Sequence, residues 1–147
     1  MRKLVNLLFH FLIATTVTFV LASLSHSQFV LQELANLGVE IDIATRISST
    51  LDDLGGLLPG YGGILAIGLL IGFAIMALLR KLRPQTGHWV YPLAGMLTVL
   101  VAHLAMHPIF HVTLIAGART PLGLAFQAFA GLIGGYVFMQ LRQPKNQ

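Results

Sequence analysis

Apolar residues run along this chain in four long blocks, separated by polar or glycine-rich stretches. The blocks are Leu4 to Leu24 (LVNLLFHFLIATTVTFVLASL), Ile64 to Leu79 (ILAIGLLIGFAIMALL), His88 to about Ile109, and Pro121 to Leu141, and none contains Asp, Glu, Lys or Arg. About twenty apolar residues in a helix are needed to cross some 30 Å of hydrocarbon. The pattern therefore predicts an all-α integral membrane protein with four transmembrane helices, over about 4–24, 62–80, 88–109 and 121–141, in a single membrane domain covering residues 1–147.

Residues 25–61 break this rhythm and form the only sizeable hydrophilic segment. Nothing stops a helix from Gln28 to Leu37, where Val30, Leu34 and Leu37 share a side, so the first span is expected to run on until Gly38. A helix from Leu4 to Leu37 would be about 50 Å long and would outrun the bilayer core. In DIATRISSTLDDLGGL, Ile43, Ile47, Leu51 and Leu54 recur at the helical interval. Asp42 suits the N-cap and Gly55-Gly56 supplies a stop. This short external helix is expected to cover the outer end of the bundle or lie on the lipid surface; the sharper alternative makes Asp52 and Asp53 ligands or partner contacts. The stretch LPGYGG reads as a turn into the second span, with Tyr61 at the headgroup layer.

Small and polar residues inside the spans suggest how they pack. Gly68 and Gly72, and likewise Gly131 and Gly135, are spaced for close helix approach, which matters in lipid because the hydrophobic effect does not drive helix pairing there. Thr98 and Gln127 place polar groups within spans and are expected to bond between helices. Pro92 falls in the first turn of the third span, with Trp89 and Tyr91 forming an interfacial aromatic belt. Pro108 either ends that helix or kinks it, and Gly117 with Thr120-Pro121 turns the chain into the fourth span.

Composition agrees with the blocks: 56% of the 147 residues are hydrophobic and 10% charged, and the mean hydropathy is +0.81. Soluble domains carry about 25% charged residues. The net charge of +4 does not make a nucleic-acid surface, because the basic residues are dispersed. Arg2 and Lys3, Arg80, Lys81 and Arg83, and Arg142 and Lys145 all fall on one side of the four-span arrangement; Arg46, Arg119 and all five acids fall on the other. The positive-inside bias places both termini in the cytoplasm and loop 25–61 on the external or periplasmic side. MRK, an apolar core and Val20-Leu21-Ala22 also resemble a cleavable leader, but that core exceeds the usual length of about 7–15 residues, so a retained span is expected.

Cysteine is absent, which excludes disulfides and thiolate chemistry. The candidate chemistry lies in HLAMHPIFH. His103 and His107 would project about 40° apart on one helix, with Met106 on the same broad face and His111 extending the stripe if the helix persists. His26, leaving the first span on the same side, could join them. Imidazole with thioether would suit copper, and imidazole with carboxylate would suit zinc. A haem alternative uses His10, His26, His88 and His103, which are paired at similar separations of about 22–24 Å along two helices. The plainer reading makes these histidines polar residues at a wet helix end, since no complete motif such as HExxH is present.

Three functional classes follow. The first is a non-enzymatic subunit, scaffold or assembly component that uses the external helical segment to engage a membrane-protein partner or a second copy. The alternative is an outer-face copper, zinc or haem redox protein built on the His103/His107 cluster. The third is a small oligomeric transporter or channel, which lacks the usual intramembrane carboxylate or arginine. No nucleophile and base are identifiable by spacing for a lipid-acting enzyme.

Overall fold

The computed structural model describes residues 1–110 and 115–143, the side chains of 107–110 excepted. All regular structure among them is helical: α1 (Arg2–Asn36), α2 (Ile43–Leu57), α3 (Gly63–Leu82), α4 (Val90–Phe110) and α5 (Pro121–Arg142). A wide turn, Leu58–Gly62, joins α2 to α3, and a tight one, Ala116–Ala118, precedes α5. Three helical stretches, comprising α1, the continuous α2–α3 run and α5, are long and apolar enough to cross a membrane; α4 is apolar over Val90–Met106.

The helix ends follow local chemistry. α1 runs without a break to Asn36 and stops where Gly38 adopts φ of 87°, a conformation that costs a glycine little. Asp42 caps α2, its Oδ1 accepting from the Thr45 N–H at 2.7 Å. Thr120 caps α5 in the same way, accepting from the Gly123 N–H at 3.0 Å, with Pro121 in the first turn. Gly55-Gly56 does not act as the expected stop. Helix continues through both residues and the wide turn into α3, because neither glycine needs a positive φ there.

α3, α4, α5 and α1 follow one another around the bundle, neighbours running antiparallel. α4 and α5 approach at Gly95 and Gly131, where a Cβ on either residue would run into the other's backbone. Gly135 lies under the backbone of Tyr91 and Pro92, and Gly134 lies against Ala14 and Thr18 of α1. Thr98 of α4 fills the notch over Gly68 and Gly72 of α3. The glycine pairs anticipated from spacing thus serve contacts within the chain, joined by Gly95 and Gly134, which carried no such signal. α1 and α3 meet through an edge-on contact of Phe11 with Phe73, ring centres 6.4 Å apart.

Apolar side chains also cover the outside of the bundle: Ile67, Ile71 and Ile75 on α3, Leu97, Val101 and Leu104 on α4, and Leu122 and Phe129 on α5 are all exposed. Continuous apolar surface of this extent suits lipid rather than water. Two aromatic expectations change. Tyr91 is fully buried and Tyr61 is 3% exposed, so both rings face protein instead of an open aromatic belt. Trp89 remains exposed.

Candidate functional site

A buried polar cluster joins four elements at the level of the wide turn. Gln127 of α5 has no exposed surface. Its Nε2 donates to the Ala22 carbonyl of α1 at 2.9 Å. A carbonyl only accepts, so the amide orientation is determined and Oε1 must face the Tyr61 hydroxyl, 2.8 Å away, as acceptor. The π-helical turn brings Tyr61 into the core; in a regular α-helix the same residue would project differently. His103 of α4 donates from Nδ1 to the Val99 carbonyl at 2.9 Å, and its Nε2 lies 3.3 Å from the Tyr61 hydroxyl. Tyr61 therefore has one proton and two neighbouring acceptors, and the shorter contact assigns that proton to Gln127.

This arrangement fastens α1, α4 and α5 to the wide turn but exposes no reactive atom. His103 is 5% exposed, and Nδ1 is committed to Val99 while Nε2 faces Tyr61. Met106, 2% exposed, packs in the apolar core with Phe19, Leu65 and Val99. Among the described residues no group of three or more His, Cys, Asp or Glu is placed to hold a metal. The side chain of His107 and all of His111 lie outside the described residues.

Nearer the α2 end of the bundle, His26 is buried against the α4–α5 connection. Its Nδ1 accepts from the Gly117 N–H at 3.1 Å, so its hydrogen-bond partner among the described residues is that connection. Beside it, the Ser27 hydroxyl donates to Asp53 Oδ2 at 2.6 Å. Gln28 receives Arg46 Nη1 on Oε1 at 3.0 Å and donates from Nε2 to Thr50 at 3.2 Å. These bonds hold α2 along α1 by its Arg46, Thr50 and Asp53 edge. Asp52, by contrast, is exposed. The Thr45 bonds hold the Asp42 carboxyl below the usual carboxylate range.

At the opposite end, the Tyr91 ring lies edge-on to Phe73 and Phe138, with ring centres at 5.9 and 5.1 Å. Arg142 donates to the Tyr91 hydroxyl at 3.1 Å, and the Arg80 guanidinium stands 5.7 Å from its ring centre. Arg80 also donates to the Thr86 carbonyl and to His88 Nδ1. Partial desolvation, then the charges of Arg80 and Arg142, lower the His88 pKa. His10, half-buried on the first half of α1, takes no part in these bonds.

Tyr61 as a core residue and the buried hydroxyl side chains of α1 are not among the residues that motif spacing singles out. The signal for the latter is present: Thr15, Thr18, Ala22 and His26 recur at three- and four-residue intervals, Ser23 and Ser27 follow the last two by one residue, and all are buried. Small and polar side chains at that interval let α5 approach α1 closely. No family model matches the chain, and neither the curated proteins nor the solved structures include a significant match to it.

Proposed function

We propose that this protein is a non-enzymatic component of a membrane assembly, a four-span subunit or scaffold that engages a neighbouring membrane protein through α2. The observation that carries the reading is the outward stripe of Ile43, Ile47, Leu51 and Leu58, each more than half exposed. Three side-chain bonds to Ser27 and Gln28 brace the adjoining edge of the same region. The stripe is therefore held in place on the bundle, and it flanks a shallow groove reaching Leu24 and Gln28 of α1. A fixed apolar surface has already lost the freedom that binding would otherwise remove. α4 packs between α3 and α5, which supports counting it as a fourth span. The convergence of Arg80 and Arg142 on Tyr91 puts basic residues of two helices at one end, and the positive-inside bias then favours a cytoplasmic location for that end.

Photocrosslinking in intact membranes tests the reading. A photoreactive residue at Ile47 or Leu51 should label one discrete protein, whereas one at Thr50, turned toward α1, should not. Labelling confined to lipid at both stripe positions would make α2 a plain interfacial helix and refute the proposal.

A further inference from the structure

A second surface at the α2 end has chemistry that packing does not use. It is a pocket of about 410 Å³ between the far end of α1 and the segment leading into α5. Glu33 and Arg119 line it, with Phe29, Val30, Leu34 and Leu37 as apolar wall. The two charges come from different elements. They do not close into an ion pair among the described residues. An anion site would not place a carboxylate in the wall, and a cation site would not place a guanidinium there. One group of each sign over an apolar wall matches a zwitterion.

The level of the pocket selects the kind of zwitterion. Gln127 is bonded to Ala22, Phe126 lies on Phe29, and Gly117 is bonded to His26. The pocket therefore opens where α5 begins, at the end of a 22-residue apolar helix. Glu33 stands about 10 Å beyond His26 along α1. In a bilayer spanned by α5 this is the headgroup layer, where Phe29 and Val30, on the membrane side of Glu33, would meet the glycerol and upper acyl carbons. A primary ammonium can donate directly to Glu33, and a phosphate can accept from Arg119. A quaternary ammonium would instead require an aromatic cage, and Phe29 is the one aromatic residue in the wall.

We infer that this pocket binds the headgroup of a phosphatidylethanolamine, its phosphate on Arg119 and its ammonium on Glu33. The test is native mass spectrometry of detergent-purified protein titrated with phosphatidylethanolamine, phosphatidylglycerol or free phosphoethanolamine. Wild type should retain phosphatidylethanolamine in preference to phosphatidylglycerol. Glu33→Gln should lose that preference by about tenfold, the size expected from losing one charge-assisted hydrogen bond, and Arg119→Gln should weaken both lipids. Glu40→Gln, which removes an acid outside the pocket, should leave the profile unchanged. Unfolding midpoints equal to wild type verify that these exposed substitutions leave the fold intact. Equal lipid profiles in wild type and both pocket variants would overturn the inference, as would an equal change in Glu40→Gln. Competition by free phosphoethanolamine at lipid-like concentrations would assign the pocket to a soluble zwitterion and overturn the lipid assignment.

Discussion

Replacing Tyr61 by Phe removes one oxygen from the centre of the bundle and leaves its ring in place. The hydroxyl donates to Gln127 Oε1 at 2.8 Å and lies 3.3 Å from His103 Nε2, so its loss strands the Gln127 acceptor, the one its single proton serves. Gln127 cannot recover by flipping, because its Nε2 would then forfeit the Ala22 carbonyl at 2.9 Å. A buried unsatisfied group costs about 1–3 kcal/mol, while hydrogen bonds between membrane helices have averaged about 0.6 kcal/mol with a maximum near 1.7. Tyr61→Phe should therefore destabilise the fold by about 1–2 kcal/mol. Gln127→Leu should cost less than a second such loss. It removes the competing acceptor, freeing the Tyr61 proton for His103, and leaves the Ala22 carbonyl its bond within α1. In the double variant the tyrosine change breaks the longer Tyr61–His103 contact instead, so it should cost less than in the wild-type background, giving a coupling of about 0.5–1 kcal/mol. Reversible unfolding in mixed micelles, applied to the four proteins of this cycle, measures it. Additivity within about 0.3 kcal/mol would refute the proton assignment, as would a larger cost for Gln127→Leu than for Tyr61→Phe.

Other outcomes follow from the same geometry. Gly131→Ala should destabilise by about 1–3 kcal/mol by forcing α5 off the Gly95 backbone, whereas Gly63→Ala, with open space around its position, should be neutral; the same unfolding assay separates them. The lowered His88 pKa means that the unfolded chain binds the proton more readily. Its contribution is thus complete above the unfolded value of about 6.5 and declines as pH falls toward the lower folded value. An NMR titration placing His88 at or above about 6.5 would contradict this. Asp42→Ala should speed amide exchange in the first turn of α2, most at Thr45, while Asp42→Ser should retain protection; equal exchange in both variants would show that the cap bond is unimportant.

The periodicity of the chain was sufficient for the helices, since a block of apolar residues has one stable form in lipid, a helix that satisfies its own backbone. The unbroken run to Gly38, the Asp42 cap and the Thr120-Pro121 start of α5 were legible for a similar reason, each depending on residues within one turn of each other. The candidate site was much less so. His103 and Met106 share a helix face in the sequence, but which of their atoms remain free depends on Val99, Tyr61 and Phe19, and two of these belong to other elements. Tyr61 read as an interfacial residue because its sequence neighbours are Pro59, Gly60 and Gly62; the π-helical turn that carries its hydroxyl to Gln127 arises from packing across the bundle. Tyr91 is likewise enclosed by Phe73 and Phe138, which close over it from helices distant in sequence. Glu33 and Arg119 face one pocket although more than half the chain separates them. Local residue order sets the helices, most of their ends and the distribution of charge along the chain, which are local properties. Tertiary structure decided which polar groups satisfy each other and which are left facing outward, because hydrogen bonds and ion pairs require contact distances that only the packed helices set.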